Sequence, residues 1–484
     1  MDMEKGHLIE KDIEGEVQER SGIIIWSVFA QEVKDVCYIS APMIIVTLSQ
    51  YFLQIISLMM VGHLGKLALS GIAIAISLCA VSGFSLLFGM SCALETLCGQ
   101  AYGAQQYKKF CVQIYTGLVS LTLASIPLSL LWFNLEKLLT LLGQDPLISQ
   151  EAGNFARCLI PALFAYGILQ AMVRFFLIQS LIKPLVISST VSLFFHIALC
   201  WLLVFKIGLG SLGAAFSIGA SYWLNVILLG LYMFSTNSER TQTHISMEIF
   251  HGIREFLSYA IPSAGMICLE WWSLELLTLL SGILPNPELE TSVLSICLST
   301  ISTIYTIPES IGSAASTRVS NSLGAGSPQA ARVSVFAAMA LAALEALLVS
   351  SILFACRKTL GYAFSNERDV VDHVTDMVPL LCLSVILDTL HVTLSGIARG
   401  CGWQHLGAYV NFGAYYVVGI PIAAILGFWI ELRGKGLWIG ILIGALCQTV
   451  MLSLITSATN WEKQVSKARK RIFQGRFEVE ELLK

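Results

Sequence analysis

Apolar residues along this chain fall in windows of about 20, the length a helix needs to cross roughly 30 Å of hydrocarbon. The runs are continuous and do not alternate apolar with polar positions, so they predict helices and not barrel strands. Twelve windows follow: 36–61, 68–92, 114–135, 158–179, 185–206 and 212–234, then 257–283, 291–314, 333–356, 377–397, 406–430 and 436–458. The longest polar interruption, 235–256, falls near the middle and divides six from six. The pattern predicts an all-α, multi-pass integral membrane protein. Its parts are an acidic N-terminal tail (1–35), a first lobe (36–234), an inter-lobe loop (235–256), a second lobe (257–458) and a basic C-terminal tail (459–484).

Composition agrees with the pattern. Of 484 residues, 56% are hydrophobic and 13% charged, with a mean hydropathy of +0.74. A soluble domain carries about a quarter charged residues. The net charge of −3 gives no reason to expect a nucleic-acid partner. None of the thirteen cysteines forms a CxxC pair or a metal-ligand spacing, and most lie in apolar runs, where cysteine acts as a small hydrophobe. No metal site or organic cofactor is expected. The acidic start (Glu10, Asp12, Glu14, Glu16, Glu19) lacks the basic region of a cleavable signal peptide. The termini and even-numbered loops hold nineteen Lys and Arg, the odd loops nine, and Arg174 lies within a span. By the positive-inside rule both termini are expected in the cytoplasm. The basic tail from Lys463 to Lys484 obeys that rule and suits contact with anionic lipid.

The two halves are repeats. Pro42 lies eight residues before Gln50, and Pro262 eight before Glu270. Pro161 lies nine before Gln170, and Pro379 nine before Asp388. Gly103 in YGAQQYKK aligns with Gly324 in LGAGSPQAAR. The offsets are 220, 218 and 221, so one register joins all three. Six spans bring both halves into the membrane from the same side, which predicts two six-helix lobes facing each other across a cleft.

The alignment exposes an asymmetry. Where the first half has Gln50 and Gln170, the second has Glu270 and Asp388. A carboxylate in the bilayer costs about 2.5–3.5 kcal/mol on insertion scales and normally faces a cavity. Desolvation favours the neutral form of any carboxylic acid, so such a group can bind and release a proton. Gln in the first half shows that an amide suffices for packing. Glu309, after Pro308 in span eight, is a candidate substrate contact facing the cleft, expected to tune cation preference without being the coupling acid. Glu275 and Glu345 are weaker ones. Glu95, at the end of span two, reads as a cap or loop anchor. Trp271, Trp272, Tyr415 and Tyr416 lie near the acids and suit a flat or cationic organic molecule through stacking and cation–π contact. Gln50, Gln170, Asn225, Asn411 and Tyr415 are candidate neutral contacts. No P-loop, TVGYG filter, HExxH or GxSxG is present, so an ATP-driven pump, a potassium channel and an enzyme have no motif to stand on.

The stretches LETLCGQAYGAQQY (94–107), CLEWWSLELL (268–277), ASTRVSNSLGAGSPQAAR (315–332) and GIARGCGWQHLGAYVNFGAYYVVGIP (396–421) resemble the multidrug and toxic compound extrusion (MATE) family, above all its plant detoxification branch. The resemblance covers about 36–458. It implies a V-shaped two-lobe fold, and antiport of organic cations, flavonoids, alkaloids or xenobiotics against protons. It also implies an essential acid in LEWW, here Glu270, and one in span ten, here Asp388. Bacterial relatives often bear an ion-binding Asp in span one, where this chain has no acid. Animal relatives carry a Glu where Ser299 stands.

The expected mechanism is proton-coupled export by a monomer in the plasma or vacuolar membrane, with Glu270 and Asp388 alternately holding protons and supporting substrate. The competing reading is a facilitative channel or uniporter in which the acids only line the path.

Overall fold

The computed structural model describes residues 2–235, 247–365 and 367–482. Twelve of its helices are long and apolar enough to cross a membrane. The first six are spans 1 (Trp26–Gly62), 2 (Lys66–Gly103), 3 (Tyr107–Phe133), 4 (Pro146–Ile178), 5 (Ile182–Lys206) and 6 (Gly210–Ser235). The second six are spans 7 (Glu248–Ser281), 8 (Glu288–Gly324), 9 (Pro328–Ala355), 10 (Arg368–Cys401), 11 (Gln404–Trp429) and 12 (Arg433–Ser457). All twelve windows are helices. Their ends differ from the expected ones, because hydropathy marks only the part of a helix that meets lipid.

Span 4 begins at Pro146, twelve residues before its predicted window. Asp145 caps it, accepting hydrogen bonds from the backbone N–H groups of Leu147 (2.9 Å) and Ile148 (3.1 Å), and Pro146 occupies the first turn, where no N–H is needed. Span 9 starts the same way at Ser327-Pro328. Span 10 ends at Cys401 on Gly402, whose φ of 81° is the left-handed conformation that glycine adopts freely. Span 2 contains a π-helical turn, Ala80–Phe84, within its predicted window and continues past its predicted end as far as Gly103. Helix extends into the expected tails and inter-lobe loop. The helix of span 1 starts at Asp2, span 7 starts at Glu248 within the expected inter-lobe loop, and the C-terminal tail forms a helix, Trp461–Leu482. Their Glu, Lys, Arg and Gln residues are good helix formers even where no membrane requires one. Of the expected loop, 236–246 lies outside the described residues.

Spans 1–6 and 7–12 form two lobes in a V. Span 1 of the first lobe packs on span 8 of the second, and span 2 on span 7, as a repeat related by a pseudo-twofold axis demands. The aligned glycines sit at the crossing of spans 2 and 8. A Cβ on Gly103 would overlap the Asn321 backbone, and one on Gly324 would overlap the Gln100 backbone. Only glycine lets the helices cross this closely.

The face that carries the termini is the sealed one. There Gln100 donates to the Gly400 carbonyl (3.1 Å), Gln404 to Thr96 (2.6 Å) and Thr96 to the Arg399 carbonyl. Arg318 of span 8 grips Glu32 of span 1 with two hydrogen bonds of 2.7 and 2.5 Å. The C-terminal helix straps both lobes. Arg471 donates to Gln100 of span 2 in the first lobe at 3.0 Å and to the Cys401 carbonyl of span 10 in the second at 3.4 Å. Towards the far face the inter-lobe hydrogen bonds among the described residues are fewer. Ser77 donates to Glu275 (3.1 Å), and Trp272 donates to the Val81 carbonyl (3.1 Å).

Candidate functional site

Glu270, on span 7, is buried in the second lobe. Its Oε1 accepts from the Tyr305 hydroxyl at 2.9 Å and faces His391 Nε2 at 3.2 Å. Its Oε2 accepts from Gln448 at 3.3 Å and from Asn411 at 3.5 Å. Tyr415 in turn donates to Gln448 Oε1 at 2.7 Å, and Asn411 to the Met266 carbonyl at 2.7 Å. Two of the candidate neutral contacts, Asn411 and Tyr415, therefore orient Glu270. The π-helical stretch Phe412–Gly419 of span 11 carries Tyr415 at its buried side.

The sequence reading missed His391. It follows Asp388 by three residues on span 10, hence on the same helix face. Its Nδ1 faces the Leu387 carbonyl at 2.9 Å, and a carbonyl accepts only, so Nδ1 donates there. The Nε2···Glu270 contact then holds one proton, on ring or carboxyl, and the pair is neutral in both forms. Asp388 makes no hydrogen bond among the described residues. His391 Nδ1 lies 3.9 Å from its Oδ1.

Glu270, Asp388, His391, Tyr305, Tyr415 and Trp438 line a cavity of about 40 Å³. That volume takes a water molecule or two. Organic ligands occupy pockets of about 300–1,000 Å³. In this conformation the acid pocket has room for protons and water but none for an organic molecule.

The first lobe differs as the repeat alignment predicts. Gln50 is half-buried on span 1, and Gln170 is buried on span 4. Asn225 donates to Ser189 at 3.3 Å inside the lobe. His196, also missed, is wedged between Ser57 and Ser221, 3.1 Å from each hydroxyl. Trp271 lies where the lobes face, its ring stacked on Phe88 of span 2 with centroids 5.8 Å apart. Glu309 is buried, and neither carboxyl oxygen has a hydrogen-bond partner. Glu345 accepts from Thr389 at 2.8 Å, one residue from Asp388.

Towards the sealed face lies a charge cluster that sequence reasoning did not assemble. Arg399 Nε is 2.9 Å from Glu95 Oε2, and Arg174 Nη1 is 3.2 Å from Glu95 Oε1. Glu95 is thus no cap or loop anchor, since span 2 continues beyond it and carries it into the lobe interface. Arg399, counted among the loop charges, is inside span 10 for the same reason. The available signal was three charges within or bordering apolar windows.

The MatE family model matches residues 42–202 and 262–425, two segments that open on Pro42 and Pro262 in the register of the repeat. Protein DETOXIFICATION 14 of Arabidopsis thaliana is 58% identical over 479 residues, covering 99% of this chain and 97% of that protein. Protein DETOXIFICATION 12 of the same plant is 55% identical over 460 residues, covering 94% and 96%. The crystal structure of the eukaryotic MATE transporter AtDTX14 superimposes with a TM-score of 0.89 at 59% identity, over 92% of this chain and 100% of that one. A crystal structure of a MATE in complex with MaD3S, at 15% identity and a TM-score of 0.79, covers 91% and 97% and shares the fold. The family model, these relatives at over half identity and the shared two-lobe fold show that this chain belongs to the MATE family, whose members are transporters and not enzymes.

Proposed function

We propose that this chain exports small organic solutes, cationic or polarisable, in exchange for protons. The reading rests above all on the second-lobe pocket, where two carboxyls face a water-sized cavity and one of them, Asp388, makes no hydrogen bond among the described residues. Asp388 is the acid best placed to take up a proton, and the Glu270–His391 pair keeps the pocket's remaining charge balanced. Substrate binds between the lobes, against faces such as the Trp271–Phe88 stack. Proton binding drives transport only by favouring one conformation over the other. The termini lie in the cytoplasm, the working unit is a monomer, and protons are the only coupling species. The membrane is that of the cell surface or the vacuole.

The test is uptake into proteoliposomes with an imposed pH gradient. An antiporter concentrates a cationic substrate above equilibrium and loses the excess when an uncoupler collapses the gradient. Equilibration without accumulation means a uniporter. Topology has its own check. In a cysteine-free background, Glu288→Cys and Lys358→Cys react with an impermeant maleimide on intact cells, and Glu462→Cys reacts only after permeabilisation. Labelling of a residue in 235–256 from outside intact cells overturns the orientation.

A further inference from the structure

Two arginines and two glutamates are buried where the lobes join. Glu95 and Arg174 belong to the first lobe, Arg399 and Glu309 to the second. Glu95 is 0% exposed, Arg399 1%, Arg174 2% and Glu309 7%. Glu95 serves both guanidinium groups, one from its own lobe and one from across the interface. Glu309 serves neither. Both its oxygens are buried without a hydrogen-bond partner, and so are Arg399 Nη2 and Arg174 Nε.

The charged and titratable groups around Glu309 are these. Arg399 approaches from span 10, Arg174 and Tyr166 from span 4, Glu95 and Cys92 from span 2, Glu270 from span 7 and Tyr305 from its own span. From span 1, Thr47 lies 3.4 Å from the hydroxyl of Ser310, the residue after Glu309, and Glu32 and Asp35 are paired with Arg318. Span 9 carries Glu345, engaged by Thr389. A buried carboxylate with no donor is costly, so with the interface closed the carboxyl of Glu309 is uncharged.

Opening this face must pull Arg399 away from Glu95, because they lie on different lobes. A buried arginine left alone is equally costly. Arg399 and Glu309, however, lie on spans 10 and 8 of the same lobe, which pack together along their length. After separation each lobe keeps one acid and one arginine, Glu95 with Arg174 and Glu309 with Arg399. No buried charge is left without a partner, provided that Glu309 has ionised.

We propose that Glu309 is a second proton-carrying residue, which gives up its proton to the cytoplasm as it replaces Glu95 as the partner of Arg399. The direction of proton flow rests on the antiport reading above; the exchange of partners rests on the cluster alone. On opening, the O–H proton of Glu309 passes to cytoplasmic water, and the carboxylate pairs with the guanidinium. On closing, Arg399 returns to Glu95, and Glu309 takes a proton from the cleft that opens to the far face. One proton therefore moves inward with each cycle, without any bond to substrate.

The reporter is Ser320→Cys in a cysteine-free background. Ser320 is fully buried on span 8 against Gly99 of span 2, so an impermeant maleimide on the cytoplasmic side reaches it only when the lobes part. In the otherwise unaltered reporter protein the labelling rate rises with cytoplasmic pH. Glu309→Gln cannot ionise and leaves Arg399 alone on opening, so labelling falls at least about tenfold and loses its pH dependence. Adding Arg399→Gln removes the unpaired charge and restores labelling, while Arg174 keeps Glu95. Variants are compared at matched amounts of monodisperse protein. Labelling of Glu309→Gln at the parental rate overturns the proposal, and so does failure of the double variant to recover. If the unmutated protein accumulates substrate under a pH gradient while Glu309→Gln opens normally, this inference falls and antiport stands. If no accumulation occurs but the labelling pattern holds, antiport falls and the exchange of partners stands.

Discussion

Glu270→Gln and Asp388→Asn should each reach the membrane in normal amount and still fail to accumulate substrate above the level of empty proteoliposomes. The repeat supplies the reason for normal folding. Gln50 and Gln170 occupy the matching places in the first lobe, so an amide is compatible with the packing there. In the second lobe, Gln at 270 keeps one acceptor oxygen, enough for Tyr305 or for Gln448 but not both, and Asn at 388 breaks no hydrogen bond among the described residues. Neither amide can bind a proton across the working pH range. The two variants separate on one further point. Glu270→Gln removes the acid with which His391 Nε2 shares a proton, and the surrounding Tyr305, Asn411 and Gln448 network reorganises. Asp388→Asn leaves that network whole, so its downhill substrate flux should survive better. The measurement is substrate accumulation with and without a pH gradient, alongside counterflow at equal pH. Full gradient-driven accumulation by Asp388→Asn would remove it from the coupling machinery, and by the double variant would end the proton-antiport reading.

How much of this was legible beforehand depends on the kind of signal. The twelve spans and the two-lobe fold were legible because lipid imposes one period and one length, and because Pro42, Pro161, Gly103 and their repeat mates share a register. Glu270 and Asp388 stood out as acids opposite amides. His391 did not, because a lone histidine in an apolar run is silent until its two nitrogens are seen facing a carbonyl and a carboxyl. The Glu95–Arg174–Arg399 cluster was hidden for a different reason. Hydropathy windows end where charges begin, so residues that continue a helix into a buried interface were taken for loop residues. The capping signals at Asp145-Pro146 and Ser327-Pro328 were present and would have corrected two helix starts. Nothing in the local sequence tells that residues 95 and 399, from different lobes, touch. Only the fold brings them together.

The Glu95 position carries the second large expectation, and it concerns stability. Glu95→Ala leaves two buried guanidinium groups without their shared carboxylate. Glu309 can ionise to serve Arg399, since both belong to the second lobe. Arg174, left with Cys92 Sγ at 3.4 Å and the face of Phe88 at 5.2 Å, must share that one carboxylate with Arg399, so two guanidinium groups remain with one partner. Breaking a buried ion pair by removing one partner costs about 3–5 kcal/mol. Against a stability of about 5–15 kcal/mol, typical of folded domains, such a loss is severe. Glu95→Ala should therefore give a broad, aggregated elution profile in detergent and a lowered melting temperature. Replacing the whole cluster with apolar residues tests the cause. Glu95→Leu with Arg174→Met and Arg399→Met removes every charge that needs a partner, and such exchanges are often neutral or stabilising. That triple variant should recover a monodisperse profile and a melting temperature near that of the unaltered protein. It should not recover transport, because Glu309 then has no arginine to receive when the lobes part. A stable Glu95→Ala protein would mean that water already satisfies Arg174, and a triple variant that transports normally would reduce the cluster to packing.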